Sequence, residues 1–411
     1  FNGGSNAGHT LVVDGQKFAM HLLPCGVLNE QCKNIIGNGV VVHVPTLVQE
    51  LQSLLHVNIS IEGRIFVSDR AHIVFDFHQE IDGILETMRD SQSAKKKKES
   101  EEDTKQDSGE SGSIGTTRRG IGPCYASKMY RNGIRFGELR DFAKFKDKYL
   151  RLVEMNQTLF DELSEYNTKE ELTRFESYRE ILLPMIQDTI LLINNQYKEG
   201  KRILLEGANA ALLDIDYGTY PMVTASSTTH GGISTGVGLA APFVNTRIGV
   251  VKAYTTRVGH GPFPTEQLNE YGEHLGDVGH EFGTTTGRRR RCGWLDVPVV
   301  QYSNLLNAYS SLNITKLDVL DDLDEIQIGK AYKLEGKRLS PGTMPSTMDE
   351  LSKIEVEYET LPGWKSSIAK CKTYNDLPEN AKKYIERIEE LTEIPVSWIG
   401  VGPDRNDMIP K

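Results

Sequence analysis

Leu312-Asn-Ile-Thr-Lys316-Leu-Asp318 reads as a buried strand that breaks off in a lysine and an aspartate. Three more runs share this grammar: Arg202-Ile203-Leu204-Leu205-Glu206-Gly207-Ala208, Ile248 to Tyr254, and Val396-Ser-Trp398-Ile-Gly400-Val401-Gly402-Pro403. Before the last of them, Ala381, Tyr384, Ile385, Ile388 and Leu391 fall on one helical face. Strands separated by helices predict an α/β fold: a mostly parallel central sheet flanked by helices, with ligands beyond the carboxyl ends of strands.

Working outward, residues 11–50 alternate Leu11-Val12-Val13, Phe18-Ala19-Met20 and Val40-Val41-Val42 with Gly and Pro, which predicts strands around tight turns. Ile61 to Val67 predicts another strand, with Gly63 as a weak point. His72, just beyond it, reads as a structural hydrogen-bonder. Residues 138–200 are charge-laced and helical, an excursion outside the sheet. Thr168-x-x-Glu171 offers a capping box there and Gly200 a helix stop. Residues 91–113 carry Lys95 to Lys98, then Glu99, Glu101, Glu102 and Asp103 among Ser and Gly. Such a run cannot repay its ordering entropy, so it is predicted to be a disordered low-complexity insertion in a single domain spanning 1–411.

With 411 residues the chain can bury a large core, and its net charge of −10 argues against a general nucleic-acid or membrane-surface binder. No apolar run approaches the ~20 residues of a membrane span. The five cysteines, Cys25, Cys32, Cys124, Cys292 and Cys371, form no CxxC, so neither a zinc site nor a disulfide framework is suggested. Reduced thiols in a cytoplasmic protein are the simplest expectation.

Three loops carry chemistry. Phe1-Asn-Gly-Gly-Ser-Asn-Ala-Gly-His-Thr10 sets His9 among glycines, either a glycine-rich turn with a surface histidine or a cradle for phosphate oxygens. Gly115-Thr-Thr-Arg-Arg-Gly-Ile-Gly-Pro123 is a second phosphate-compatible loop, followed by Arg131 and Arg135 in a short helical stretch. Phe282-Gly-Thr-Thr-Thr-Gly-Arg-Arg-Arg-Arg-Cys-Gly-Trp294 combines hydroxyls with four arginines, whose forks grip carboxylates and phosphates. In an acidic protein this favours a compact anionic substrate over nucleic acid. Asp318, at a strand end, can accept from both N1–H and the 2-amino group of guanine, which adenine does not offer. The stem of Lys316 can cover a base face, and Gly400 to Pro403 can form the other wall.

In order along the chain, Asn6-Ala-Gly-His9-Thr10, Gly115-Thr-Thr117 with Gly120-Ile-Gly-Pro123, Glu206-Gly-Ala-Asn209, Asp214-Ile-Asp216-x-Gly-Thr-Tyr-Pro221-x-Val-Thr224, Thr285-Thr-Gly-Arg288 through Trp294, and Thr315-Lys-Leu-Asp318 resemble the adenylosuccinate synthetase family. The resemblance runs from Phe1 to Arg405 and is of the eukaryotic type at Ala-Asn209-Ala-Ala. It implies a P-loop-NTPase-like fold and a GTP- and Mg2+-dependent ligase that joins L-aspartate to IMP through a 6-phosphoryl-IMP intermediate, on the route from IMP to AMP. His9 would be the general acid at O6, a role for a group that gives and takes a proton. The Gly8 carbonyl would ligate Mg2+.

By the same resemblance, IMP would be held by Asn6, Ala7, Gly8, His9, Thr117, Asn209, Thr224 and Arg288, with Arg131 reaching in from the second subunit of a homodimer. Aspartate would lie against Thr284, Thr285, Thr286, Gly287, Arg288 and Arg290. GTP would meet Gly8, His9, Thr10, Arg290, Lys316, Leu317, Asp318, Gly400, Val401 and Gly402. No nucleic acid or membrane partner is implied. One departure stands out: family members carry a Gly-Asp-Glu-Gly-Lys-Gly-Lys loop ahead of the phenylalanine-glycine segment, with the general-base aspartate in it. The expectation is a fragment lacking this N-terminal phosphate-loop segment and inactive by itself. A catalytically inactive pseudoenzyme that binds IMP and GTP is the alternative.

Overall fold

The apolar runs near the amino terminus pair much as their pattern predicts. In the computed structural model, which describes residues 1–13, 15–99, 114–283 and 287–411, β1 (Asn2–Gly3) is followed by a hairpin of β2 (His9–Val13) and β3 (Gln16–Met20). Then come β4 (Asn34–Ile36), β5 (Gly39–His43), α1 (Val44–His56), β6 (Ile65–Ser68), β7 (His72–Val74), α2 (Asp76–Glu99) and α3 (Ile121–Tyr130). β5 is buried along its whole length and lies between β1 and β7, all three parallel. β6 joins β4 and β8 (Ile186–Gln187) in a second parallel set. Helix α2 covers the start of the 91–113 stretch as far as Glu99, and residues 100–113 lie outside the described residues.

The helical excursion is present as α4 (Phe142–Gln157), α5 (Thr168–Leu182) and α6 (Thr189–Lys198), interrupted only by short turns and β8. The capping box shifts by one residue: Asn167 caps α5 by accepting from Glu170 N–H. Glu171 turns inward, accepting from Tyr149 and Tyr166 Oη at 2.6 Å each and from Asp76 N–H at 2.8 Å. Gly200 sits at φ +72°, just past α6, as a helix stop should. His72 is buried, and its Nδ1 has no hydrogen-bond partner.

The second half carries α7 (Gly231–Val237), β9 (Ile248–Lys252), β10 (Thr255–Arg257), α8 (Glu270–Val278), β11 (Arg291–Gly293), β12 (Leu295–Asp296), α9 (Val297–Asn307) and β13 (Ser311–Thr315). β14 (Glu325–Leu334), β15 (Lys337–Arg338), α10 (Met348–Ser352), β16 (Glu355–Pro362), α11 (Glu379–Thr392), β17 (Val396–Gly400) and β18 (Met408–Pro410) complete it. β9, β13 and β17 run parallel, with β18 antiparallel at one edge. β14 pairs antiparallel with β16, an antiparallel element absent from the sequence reading. Ala381, Tyr384, Ile385 and Ile388 of α11 are buried as predicted, in a core distinct from the one around α1 and α4. The 202–208 run forms no strand, and Leu204 is 80% exposed. An apolar run becomes a strand only when a neighbour takes its backbone hydrogen bonds, and no described strand pairs with this one.

Candidate active site

Gly3, at φ +85°, and Gly4, where a side chain has no room, carry the chain out of β1. A Cβ on Gly4 would stand 2.6 Å from the Val41 carbonyl oxygen and 2.7 Å from Ile121 Cδ1. Tyr125 of α3 clamps this point, accepting from Gly3 N–H at 3.0 Å and donating to the Gly39 carbonyl at 2.6 Å. Beyond it, Asn6 Nδ2 donates to Thr224 Oγ1 at 3.1 Å. Asn209 comes to the same place, its Oδ1 3.4 Å from where a Cβ on Gly3 would stand. Asn209 Oδ1 and His9 Nε2 are both buried without a hydrogen-bond partner. Folded interiors leave few such atoms, and each calls for a polar partner.

The loop containing Thr117 is hung from two carboxylates of α2. Glu86 Oε1 accepts from Gly115 N–H at 2.6 Å and Thr116 N–H at 3.2 Å. Asp82 accepts from Thr116 Oγ1 at 3.0 Å and Gly120 N–H at 3.0 Å. Burial pushes the Asp82 carboxyl up, against the Gly120 and Thr116 bonds that pull it down. Gly115 faces the arginine loop: a Cβ there would lie 3.4 Å from Arg288 Nη1. The 209–230 segment is organised by Asp214, fully buried and accepting from the N–H groups of Asp216, Tyr217, Thr228 and Thr229 and from Ser227 Oγ at 2.7 to 3.2 Å. Burial would raise its pKa, but those donors outweigh it and hold the carboxyl below its usual range.

The arginine run divides its labour. Arg289 pairs with Asp277, and Arg291 pairs bidentately with Glu266, so both are committed within the fold. Arg290 Nη1 donates to Glu281 Oε2 at 2.7 Å while keeping 25% of its side chain exposed. Arg288 is exposed and Gly287 has φ +64°; Thr284, Thr285 and Thr286 lie outside the described residues. At the carboxyl ends of β13 and β17, Asp318 is half-buried, and a Cβ on Gly400 would be 3.3 Å from Thr315 Cα. The two ends therefore touch. β2, which begins at His9 and contains exposed Thr10, packs against the turn Arg405–Asp407 just beyond them. Leu317 and Val401 are fully buried, backbone and side chain alike.

Arg131 is set apart from these groups. It caps the far end of α3 at φ +66°, exposed beside exposed Met129 and Tyr130. Lys252, Tyr254, Glu281, Asp82, Glu86 and Tyr125 escaped the sequence reading. Each is a single polar residue without a motif, and only the position of Glu281, directly before Phe282-Gly283, hinted at a role.

The chain matches the family model described as adenylosuccinate synthetase over residues 1–409. It is 50% identical over 414 residues to the adenylosuccinate synthetase of Scheffersomyces stipitis, covering 100% of this chain and 91% of that relative. It is 50% identical over 415 residues to that of Kluyveromyces lactis, covering 100% and 92%. Among solved structures, the fully ligated adenylosuccinate synthetase from Plasmodium falciparum superposes with a TM-score of 0.91 at 46% identity, over 100% of this chain and 92% of that one. The succinoaminodeoxyadenylate synthetase of cyanophage S-2L, at 16% identity and a TM-score of 0.59, shares the fold.

Proposed function

Because the chain belongs to the adenylosuccinate synthetase family, we propose that it joins L-aspartate to IMP at the expense of GTP, giving adenylosuccinate, GDP and phosphate. The γ-phosphoryl group leaves GDP and bonds to O6 of IMP. The N1 proton is lost as O6 takes the phosphoryl group; the aspartate amine then bonds to C6 and gives up a proton, and the C6–O6 bond breaks as phosphate departs. The observation that carries the reading to particular residues is the meeting of Asn6, Thr224 and Asn209, with Asn209 Oδ1 and the nearby-in-sequence His9 Nε2 buried and unpartnered. In this reading Asn6, Ala7, Gly8, Thr117, Asn209, Thr224 and Arg288 bind IMP, and His9, as general acid, donates a hydrogen bond from Nε2 to the charge that develops at O6 and on the migrating phosphoryl group. Arg290 spans aspartate and the GTP phosphates, while Gly287 and the three threonines before it border aspartate. Thr10, Lys316, Leu317, Asp318 and Gly400 to Gly402 enclose GTP, with guanine on Asp318.

No three His, Cys, Asp or Glu side chains converge among the described residues to hold a metal. By the family resemblance the Gly8 carbonyl would be the protein's own ligand to a Mg2+ ion otherwise held by phosphate oxygens. Bound there, the ion would neutralise phosphate charge. Arg131 serves a partner subunit in this reading: it stands ~15 Å along α3 from the Ile121 end that touches Gly4. No helix among the described residues is long and apolar enough to cross a membrane, and we place the enzyme in the cytoplasm.

The test, in the full-length protein, is formation of adenylosuccinate from IMP, GTP, aspartate and Mg2+, with each omitted in turn and ATP offered in place of GTP. Product that needs all three substrates and is not supported by ATP is expected. Binding of IMP and GTP without any product would revive the pseudoenzyme alternative.

A further inference from the structure

Arg290, on aspartate and the GTP phosphates, and Lys316, on guanine, have separate tasks in this reading, yet both end on one carboxylate that it leaves unused. Glu281 follows α8 and its side chain is 0% exposed. Its Oε1 accepts from Lys316 Nζ at 2.9 Å and Tyr254 Oη at 2.5 Å, and its Oε2 from Arg290 Nη1 at 2.7 Å. Lys252 Nζ stands 2.8 Å from both oxygens. These donors come from separate places: the end of β9, the segment leading to β10, the end of β13 and the arm entering β11. The backbone joins in, since Arg290 N–H donates to the Glu281 carbonyl at 2.8 Å. Lys316 is further fixed by a φ of +56° and by donating to the Gly279 carbonyl.

One carboxylate faces three cations here, so two positive charges are left over at a point that opens toward the strand ends. Arg290 and Lys316 keep 25% and 34% of their side chains exposed, enough to meet an anion. Stability is a poor reason for such a cluster, because the cost of stripping water from buried ions commonly matches their attraction. Burial would raise the Glu281 pKa; the Lys252 charge and the bonds from Lys252, Tyr254 and Lys316 bring it to about 2. The carboxylate is therefore charged at any working pH.

Resting on the function proposed above, we propose that Glu281 is the positioning residue that fixes the arginine of the aspartate–phosphate side, Arg290, against the lysine of the guanine side, Lys316, so that the two subsites form as one unit. Glu281→Gln keeps the shape and removes the charge. In steady-state kinetics on the full-length protein, KM for GTP and KM for aspartate should each rise ~10-fold or more, while KM for IMP moves less than about twofold, as losses confined to two binding sites require. The double variant Glu281→Gln/Lys252→Met restores the count of charges without restoring the anchor, and should fold with both KM values still raised. Their return to wild-type values would show charge compensation alone and overturn the proposal. An equal rise in all three KM values, no rise, or loss of the circular-dichroism spectrum in both variants would overturn it as well. Wild-type protein that makes no adenylosuccinate would break the underlying reading instead. An active wild type with unselective variants would break only the role of Glu281.

Discussion

Asp318 and His78 show what single side chains commit the protein to. Asp318 is half-buried on the turn after β13, where burial pushes its carboxyl up. A guanine base donating two hydrogen bonds would hold the charged form. Asp318→Asn should therefore weaken GTP by about 1–3 kcal/mol, the cost of a poorly satisfied charged partner, and narrow the preference over ATP. Competition binding with GTP and ATP checks this, and unchanged affinity and selectivity would refute it. His78 lies under the loop of Thr117 with Nδ1 accepting from Phe75 N–H at 3.1 Å, and burial takes its pKa down to about 3. An unfolded histidine titrates near ~6.5, so between these values the unfolded chain binds a proton that the folded chain refuses. Stability from this residue is complete above that window and drains as pH falls through it. His72, lowered to about 4 chiefly by burial, adds to the same slope. Urea midpoints should fall from pH 7 to pH 4 in the wild type and fall less steeply in His78→Gln.

At the scale of elements, Gly120 joins the loop of Thr117 to α3. It has φ +72°, and a Cβ there would lie 2.8 Å from Gln79 N and from His78 C, both backbone atoms that cannot step aside. Gly120→Ala should cost ~1–3 kcal/mol from overpacking, with left-handed strain added, and should raise KM for IMP by shifting Thr117. Chemical denaturation and kinetics would show both effects, and a neutral outcome would mean the loop adapts freely. Helix α2 sets the terms for removing the 91–113 insertion. Glu86 binds the backbone of Gly115 and Thr116, yet α2 runs on to Glu99, roughly 13 residues or ~20 Å further. Deleting residues 100–112 alone would leave too little chain to return. Deleting Gln92 to Gly112 trims both the outward and the return path, and long surface loops cost little to close. That variant should keep its melting temperature and turnover, and a large loss of either would mean the segment docks on the body.

For the whole molecule, the exposed end of α3 makes a shared active site testable. If Arg131 acts across a homodimer, mixing Arg131→Leu subunits with His9→Asn subunits should recover part of the activity, since a hybrid holds one intact site. Hybrids that form but stay inactive would refute sharing. The sequence by itself determined the strands of β5, β9, β13 and β17, the helical stretch from 138 to 200, and the loops that carry Asn6, Thr117 and Asp318, whereas Asn209 and Thr224 stood out only through the family resemblance. These are legible because strand and helix periods, and the backbone freedom of glycine, act over a few neighbouring residues. Only the tertiary structure decided that Arg289 and Arg291 are paired internally, that 202–208 stays outside any sheet, and that Glu281 gathers Lys252, Tyr254, Arg290 and Lys316. A lone glutamate has no local signature. Its partners are chosen when strand ends from distant parts of the chain come within hydrogen-bonding distance in a space too dry to leave a charge alone.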